Sequence, residues 1–170
     1  MLSRPKQKVG ESLRYHVERK VELAARDIGL ARRHKATLES ADFVDEYMRM
    51  ARSYPDKFAL LKAAIEQVEV TAGLFCEFGV YRGGTVQFIA SLTQCEVHGF
   101  DSFEGLPEDW RSGHEKGMFA LGSLPEVRKN VRLYKGWFQV TIPDFRNNHS
   151  EPIAFLHIDA DLYSSTRTCV

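Results

Sequence analysis

Residues Cys76 to Thr85 read CEFGVYRGGT, an apolar stretch that runs into three glycines and a threonine. With Leu74 and Phe75 before it, the stretch predicts a strand over Leu74–Val80 (LFCEFGV) and a helix opening near Gly84. Such a turn puts free backbone N–H groups and the positive end of a helix dipole at the carboxyl end of a strand, the crevice where open α/β sheets hold ligands. Gly79, Gly83 and Gly84 are spaced G-x-x-x-G-G, not as the dinucleotide fingerprint G-x-G-x-x-G. Close approach to a pyrophosphate is therefore not encoded, and Glu77, two residues before the first glycine, would repel one. A carboxylate there suits a ligand with an amine or a sulfonium, which disfavours a nicotinamide-dependent oxidoreductase.

Three further short apolar runs follow: Glu96–Phe100 (EVHGF), Val131–Tyr134 (VRLY) and Ile153–Ile158 (IAFLHI). The chain between them is long enough for crossovers, which predicts parallel strands. Ser123-Leu124-Pro125-Glu126 reads as a capping box and predicts a short helix before the third strand. Upstream, apolar residues from Leu13 to Leu30 predict a helix over Glu11–His34, followed by helices over Asp42–Ala51 and Pro55–Val68, with Gly73 ending the helical region. The chain is thus read as an α/β fold, with an N-terminal helical segment (1–70) as lid or oligomerisation element and a ligand-binding domain (71–170).

A chain of 170 residues, 44% hydrophobic and 11% aromatic, can build a real core. Lys+Arg and Asp+Glu balance at 23 each, so overall charge gives no reason to expect nucleic acid. The excess of ten basic over five acidic residues in Met1–Ser40 reads as a solvated helix face. Cys76, Cys95 and Cys169 have neither zinc spacing nor an even count, and read as reduced thiols. Met1–Gly10 is polar and unlike a leader, and no apolar run approaches the roughly 20 residues of a membrane span. The expectation is a cytoplasmic protein with no membrane and no nucleic-acid partner.

The second strand ends in Asp101, 22 residues after Gly79, near the spacing of about 20 at which an acid binds a ribose diol. Glycine turn and acid together suggest an adenosine-containing ligand with an amino-acid end. Against this, Glu77 could equally be a structural salt-bridge partner and Asp101 a helix cap. Four motifs in order, EFGVYRGGT, GFDSFEGLP, YKGWFQVTIPDF and HIDADLYSST, resemble the macrocin and mycinamicin sugar O-methyltransferase family.

That resemblance implies a Rossmann-like class I methyltransferase fold, use of S-adenosylmethionine, and a hydroxyl of a sugar or glycosylated small molecule as substrate. It implies that Glu77 and Gly79 line the methionine end of the cofactor, with Tyr81, Gly83, Gly84 and Thr85 in the same loop. Asp101 would bind the ribose, Ser102 and Phe103 would flank the nucleoside, and Gly136, Trp137 and Phe138 would lie near adenine. For Trp137 and Phe138, core packing is the competing explanation.

In an extended segment Asp159 and Asp161 of HIDADLY point to one side, a plausible Mg²⁺ pair that would lower the pKa of a coordinated hydroxyl. The resemblance makes Asp159 a metal ligand and catalytic base. Asp161 is either a second ligand or a cap for a helix near Tyr163, and His157 is expected to be a satisfied core histidine. Family members continue into strands five to seven, so only strands 3-2-1-4 are expected in this sequence, with the fourth as an exposed apolar edge. Two further expectations are a homo-oligomer and a mobile loop over Glu104–Gly122. A catalytically silent cofactor-binding or assembly module is the alternative function.

Overall fold

A computed structural model describes residues 5–69 and 72–170, with side chains from Tyr15 onward. The polar start at Met1–Arg4, the side chains of Lys6, Lys8, Glu11, Leu13 and Arg14, and the junction expected at residues 70 and 71 lie outside the described residues. The chain forms two compact units, Met1–Arg52 and Ser53–Val170.

The first unit is two helices, α1 (Pro5–Ala25) and α2 (Ile28–Tyr47). The helix expected over Glu11–His34 is broken at Asp27, whose carboxylate accepts the Leu30 N–H at 2.9 Å and caps α2. An aspartate gains more at an N-cap than inside a helix, where its side chain competes for backbone donors. The expected gap before Asp42 is instead continuous helix. Thr37 and Ser40 turn their hydroxyls back onto the Arg33 and Ala36 carbonyls, at 2.9 and 2.8 Å, and Lys35 meets Glu39 at 3.6 Å. Residues 35–41 thereby keep the helical ladder while satisfying their own polar groups.

The second unit begins with α3 (Lys57–Glu66), capped by Asp56, which accepts the Phe58 and Ala59 N–H groups at 2.8 and 2.9 Å. There follow β1 (Leu74–Phe78), α4 (Gly84–Ser91), β2 (Val97–Asp101), β3 (Val131–Lys135), α5 (Phe138–Asn148), β4 (Ile153–Ile158) and α6 (Tyr163–Cys169). The sheet is parallel throughout, in the order β3-β2-β1-β4. This is the order expected, and it puts β4 at an edge with Ile153 and Leu156 exposed.

Strand alternation sends the core to both faces. Phe75, Val97, Val131 and Phe155 pack with Leu61 of α3 and Val86, Ile89 and Ala90 of α4. Cys76, Phe78 and Phe100 pack on the other face with Phe145 of α5, where Phe100 stacks between Phe78 and Tyr134 at 4.7 Å from each. The sheet is therefore covered on both sides, as parallel sheets require.

The helix expected from the Ser123–Glu126 box does not form. Only a few residues separate Pro125 from β3, and an irregular path lets Val127 join the core above β1 and β2. Asn130 then donates to the carbonyls of Ala90, Thr93 and Cys95, closing the end of α4. Helix α5, which the sequence reading did not mark, contains Pro143 and is held by its apolar face.

Candidate active site

The glycine turn is set by two constraints. Gly79 has φ +93°, a region that strongly favours glycine, and a Cβ there would lie 2.0 Å from the Asp159 carbonyl oxygen. The ends of β1 and β4 are pinned together by the Asp159 N–H, which donates to the Phe78 carbonyl at 2.8 Å. The second constraint is Asp101. Its Oδ2 accepts the Val80 and Tyr81 N–H groups at 2.9 and 2.7 Å, and its Oδ1 accepts the Phe103 N–H at 2.7 Å. Tyr81 sits at φ +50°, a conformation that a non-glycine residue keeps only when its surroundings enforce it. The Asp101 carboxylate is that enforcement.

Above the turn opens a cavity of about 350 Å³ at the carboxyl ends of the strands. Gly79, Tyr81, Gly84 and Thr85 line its floor, and a Cβ on Gly84 would meet nothing within 4 Å. Asp101 and Ser102 form the wall at the end of β2, Trp137 and Phe138 the wall at the start of α5, and Asp159 and Asp161 the wall after β4. The structure thus gathers ten of the residues marked by sequence around one space.

Four marked residues lie elsewhere. Glu77 is fully buried beneath the floor, its Oε1 2.8 Å from Nδ1 of His157 and its Oε2 without a partner among the described residues. Burial pushes its carboxyl above the ordinary range, against the hydrogen bonds of His157 and Thr85 that lower it. Glu77 thus has a buried partner in His157, which is itself hydrogen-bonded. Gly83, at φ +81°, caps α4 and faces Pro125 and Val127. Phe103 is buried in the core, its N–H donating to Asp101, and Gly136 is occupied with the Asp101 carbonyl, to which its N–H donates at 3.0 Å.

Trp137 and Phe138 both line the cavity but differ in packing. Phe138 meets Phe78 edge-on at 5.5 Å and belongs to the core margin, whereas the Trp137 indole remains 37% exposed at the cavity wall. Asp161 does not cap α6; the N-cap position falls to Leu162, with no side-chain bond. Desolvation first, and then the neighbouring charge of Asp159, raise the Asp161 pKa. Among the described residues no three His, Cys, Asp or Glu side chains group as a metal cage.

Sequence reasoning missed Lys57 and Phe58 of α3, Arg82, Phe119 and Ser165 on the cavity wall. Arg82 and Ser165 stand inside quoted motifs and Phe119 inside the loop expected over the ligand, whereas no motif or spacing rule marks Lys57 and Phe58. The loop from Glu104 to Gly122 carries internal hydrogen bonds. Leu106 N–H donates to the Met118 carbonyl and Gly117 N–H to the Leu106 carbonyl, both at 2.9 Å, and Phe119 meets Tyr81 edge-on at 5.5 Å. Ser164 of α6 donates to Glu108 at 2.6 Å, tying the loop to the last helix.

Two solved structures are similar to the chain. One is the calicheamicin methyltransferase CalS11, with 24% identity over 65% of this chain and a TM-score of 0.56. The other is the O-methyltransferase NovP, with 24% identity over 66% of this chain and a TM-score of 0.49. The matched region spans 56% of each of those chains, and the CalS11 likeness shows the shared fold. No curated protein matches. A family model, Macrocin-O-methyltransferase (TylF), matches residues 55–170, covering the whole sheet and every wall of the cavity, and the chain belongs to that family.

Proposed function

We propose that this chain carries the cofactor site and the base of an S-adenosylmethionine-dependent O-methyltransferase acting on a hydroxyl of a sugar or glycosylated small molecule. The observation that carries the reading is the convergence of the glycine turn, Asp101, Trp137 and Asp159 on one cavity within the family-matched region. The donor set fits the cofactor. Gly84 leaves open space over the turn, the end of β2 presents an acid, and an exposed indole offers a face for a flat heterocycle.

Bound there, S-adenosylmethionine would supply a methyl group activated by a sulfonium. The protein's share is alignment and proton removal. Asp101 fixes the turn against which the amino-acid end lies and would offer its remaining lone-pair site, on Oδ1, to a ribose hydroxyl. Asp159 would take the proton of the substrate hydroxyl on a carboxylate oxygen, while the cofactor would supply the methyl group and keep the electron pair of the broken C–S bond. Asp159 and Asp161 would hold Mg²⁺, which takes one or two carboxylates with water and substrate oxygens in the rest of its shell and would acidify a coordinated hydroxyl.

Transfer of labelled methyl from S-adenosylmethionine to a panel of sugar and glycoside hydroxyls tests the reading. Cofactor binding by calorimetry with transfer to at least one acceptor would support it. A folded protein that binds no S-adenosylmethionine would refute it.

A further inference from the structure

The cavity bridges the two faces of the sheet. Trp137 and Phe138 enter it from the side of α5, while Lys57 and Phe58 enter from α3, on the opposite face. Phe58 meets Phe88 of α4 edge-on at 4.8 Å, which sets the first turn of α3 beside the helix that the glycine turn opens. Asp56 caps that turn through the Phe58 and Ala59 N–H groups, so the point from which Lys57 leaves the helix is fixed.

Two cations, Lys57 and Arg82, stand in a cavity whose other charged walls are Asp101, Asp159 and Asp161. The Arg82 guanidinium lies over the Tyr81 ring at 5.1 Å. The Lys57 ammonium lies 5.5 Å from the Phe58 centroid, and among the described residues no carboxylate pairs with it. A zwitterionic amino-acid end needs acids for its ammonium and sulfonium and a cation for its carboxylate. The indole wall suits the heterocycle, so the carboxylate belongs at the opposite wall. We infer that Lys57 recognises the carboxylate of the cofactor's amino-acid end, an assignment that rests on the cofactor reading above.

The test is calorimetry on the full chain with S-adenosylmethionine and with its decarboxylated analogue, which keeps the amine and sulfonium. Wild type should prefer the intact cofactor. Lys57→Met should lose about tenfold in affinity for it, the size of one charge-assisted bond, and bind the analogue as wild type does. Lys57→Arg should restore most of the preference, and Arg82→Met should keep it. Equal losses for both ligands in Lys57→Met, no loss for either, or a preference abolished by Arg82→Met would overturn the assignment while leaving the cofactor reading intact. Wild-type protein that binds neither ligand would overturn both. Lys57 is exposed, so its replacement leaves the core untouched, and a thermal melt matching wild type verifies this.

Discussion

Removing the Asp101 carboxylate should unfasten the glycine turn, and the structure sets the size of the effect. Three backbone N–H groups, those of Val80, Tyr81 and Phe103, donate to it at 2.9, 2.7 and 2.7 Å. The residue is half-buried, so water can replace part of what is lost, and about 1 kcal/mol per bond gives a cost of about 3 kcal/mol for Asp101→Ala. For a unit of this size that is a fall in Tm of about 12 °C. Asp101→Asn can present its carbonyl oxygen to Val80 and Tyr81 only by turning its amide N–H groups towards the Phe103 donor. It should therefore lose about 1 to 2 kcal/mol. Thermal melts give the totals, and amide hydrogen exchange at Val80, Tyr81 and Phe103 locates them. An Asp101→Ala protein that melts within about 2 °C of wild type, with those amides still protected, would refute the latch. Cofactor affinity should fall as well, and unchanged affinity would remove Asp101 from the ribose role.

Asp159→Asn should abolish methyl transfer while leaving S-adenosylmethionine affinity within about threefold, because the base acts on the substrate proton; a variant at full rate would remove it from that role. Gly79→Ala should cost more than about 3 kcal/mol, read by denaturant titration, since its Cβ would lie 2.0 Å from the Asp159 oxygen at a φ of +93°; a wild-type midpoint would contradict the contact. His98 is buried beside Tyr134, Phe145 and His149, and burial holds its pKa below 6.5. Its contribution to stability is present above pH 6.5 and lost as pH falls below it, so Tm should drop with acid, and His98→Gln should flatten that slope. Glu77 has the opposite sign. Its raised pKa favours the fold below 4.5 and loses that advantage as pH rises, so Glu77→Gln should gain relative to wild type from pH 4.5 upward in the same melts.

The parts of the chain legible from sequence were those written in local chemistry. Four apolar runs with turns between them gave four strands, and the family motifs gave their order and the ends of β1, β2 and β4. What the motifs did not carry was depth. Glu77 and Phe103 sit among residues that face the cavity, yet strand alternation turns Glu77 inward and Phe103 lies in the core. The box at Ser123–Glu126 satisfied a local rule and lost to the packing of Val127, and Asp27, read as one polar position in a long helix, ends it. Lys57 was hidden for another reason. It reaches the site from a helix that the chain forms 22 residues before Gly79, and the packing of α3 on α4, through Leu61 and the Phe58–Phe88 contact, brings it there.

The backbone contact between Gly79 and Asp159 has a consequence for how such a site can change. The separation between the glycine turn and the backbone of Asp159 is set by main-chain atoms, which no side-chain exchange on the cavity wall needs to disturb. Phe58, Arg82, Phe119 and Ser165 line the same cavity through their side chains, outside that main-chain contact. Under the proposed activity, acceptor preference can therefore diversify at the rim by ordinary point substitution, while the spacing of the turn and Asp159 is inherited unchanged from the path of two strands.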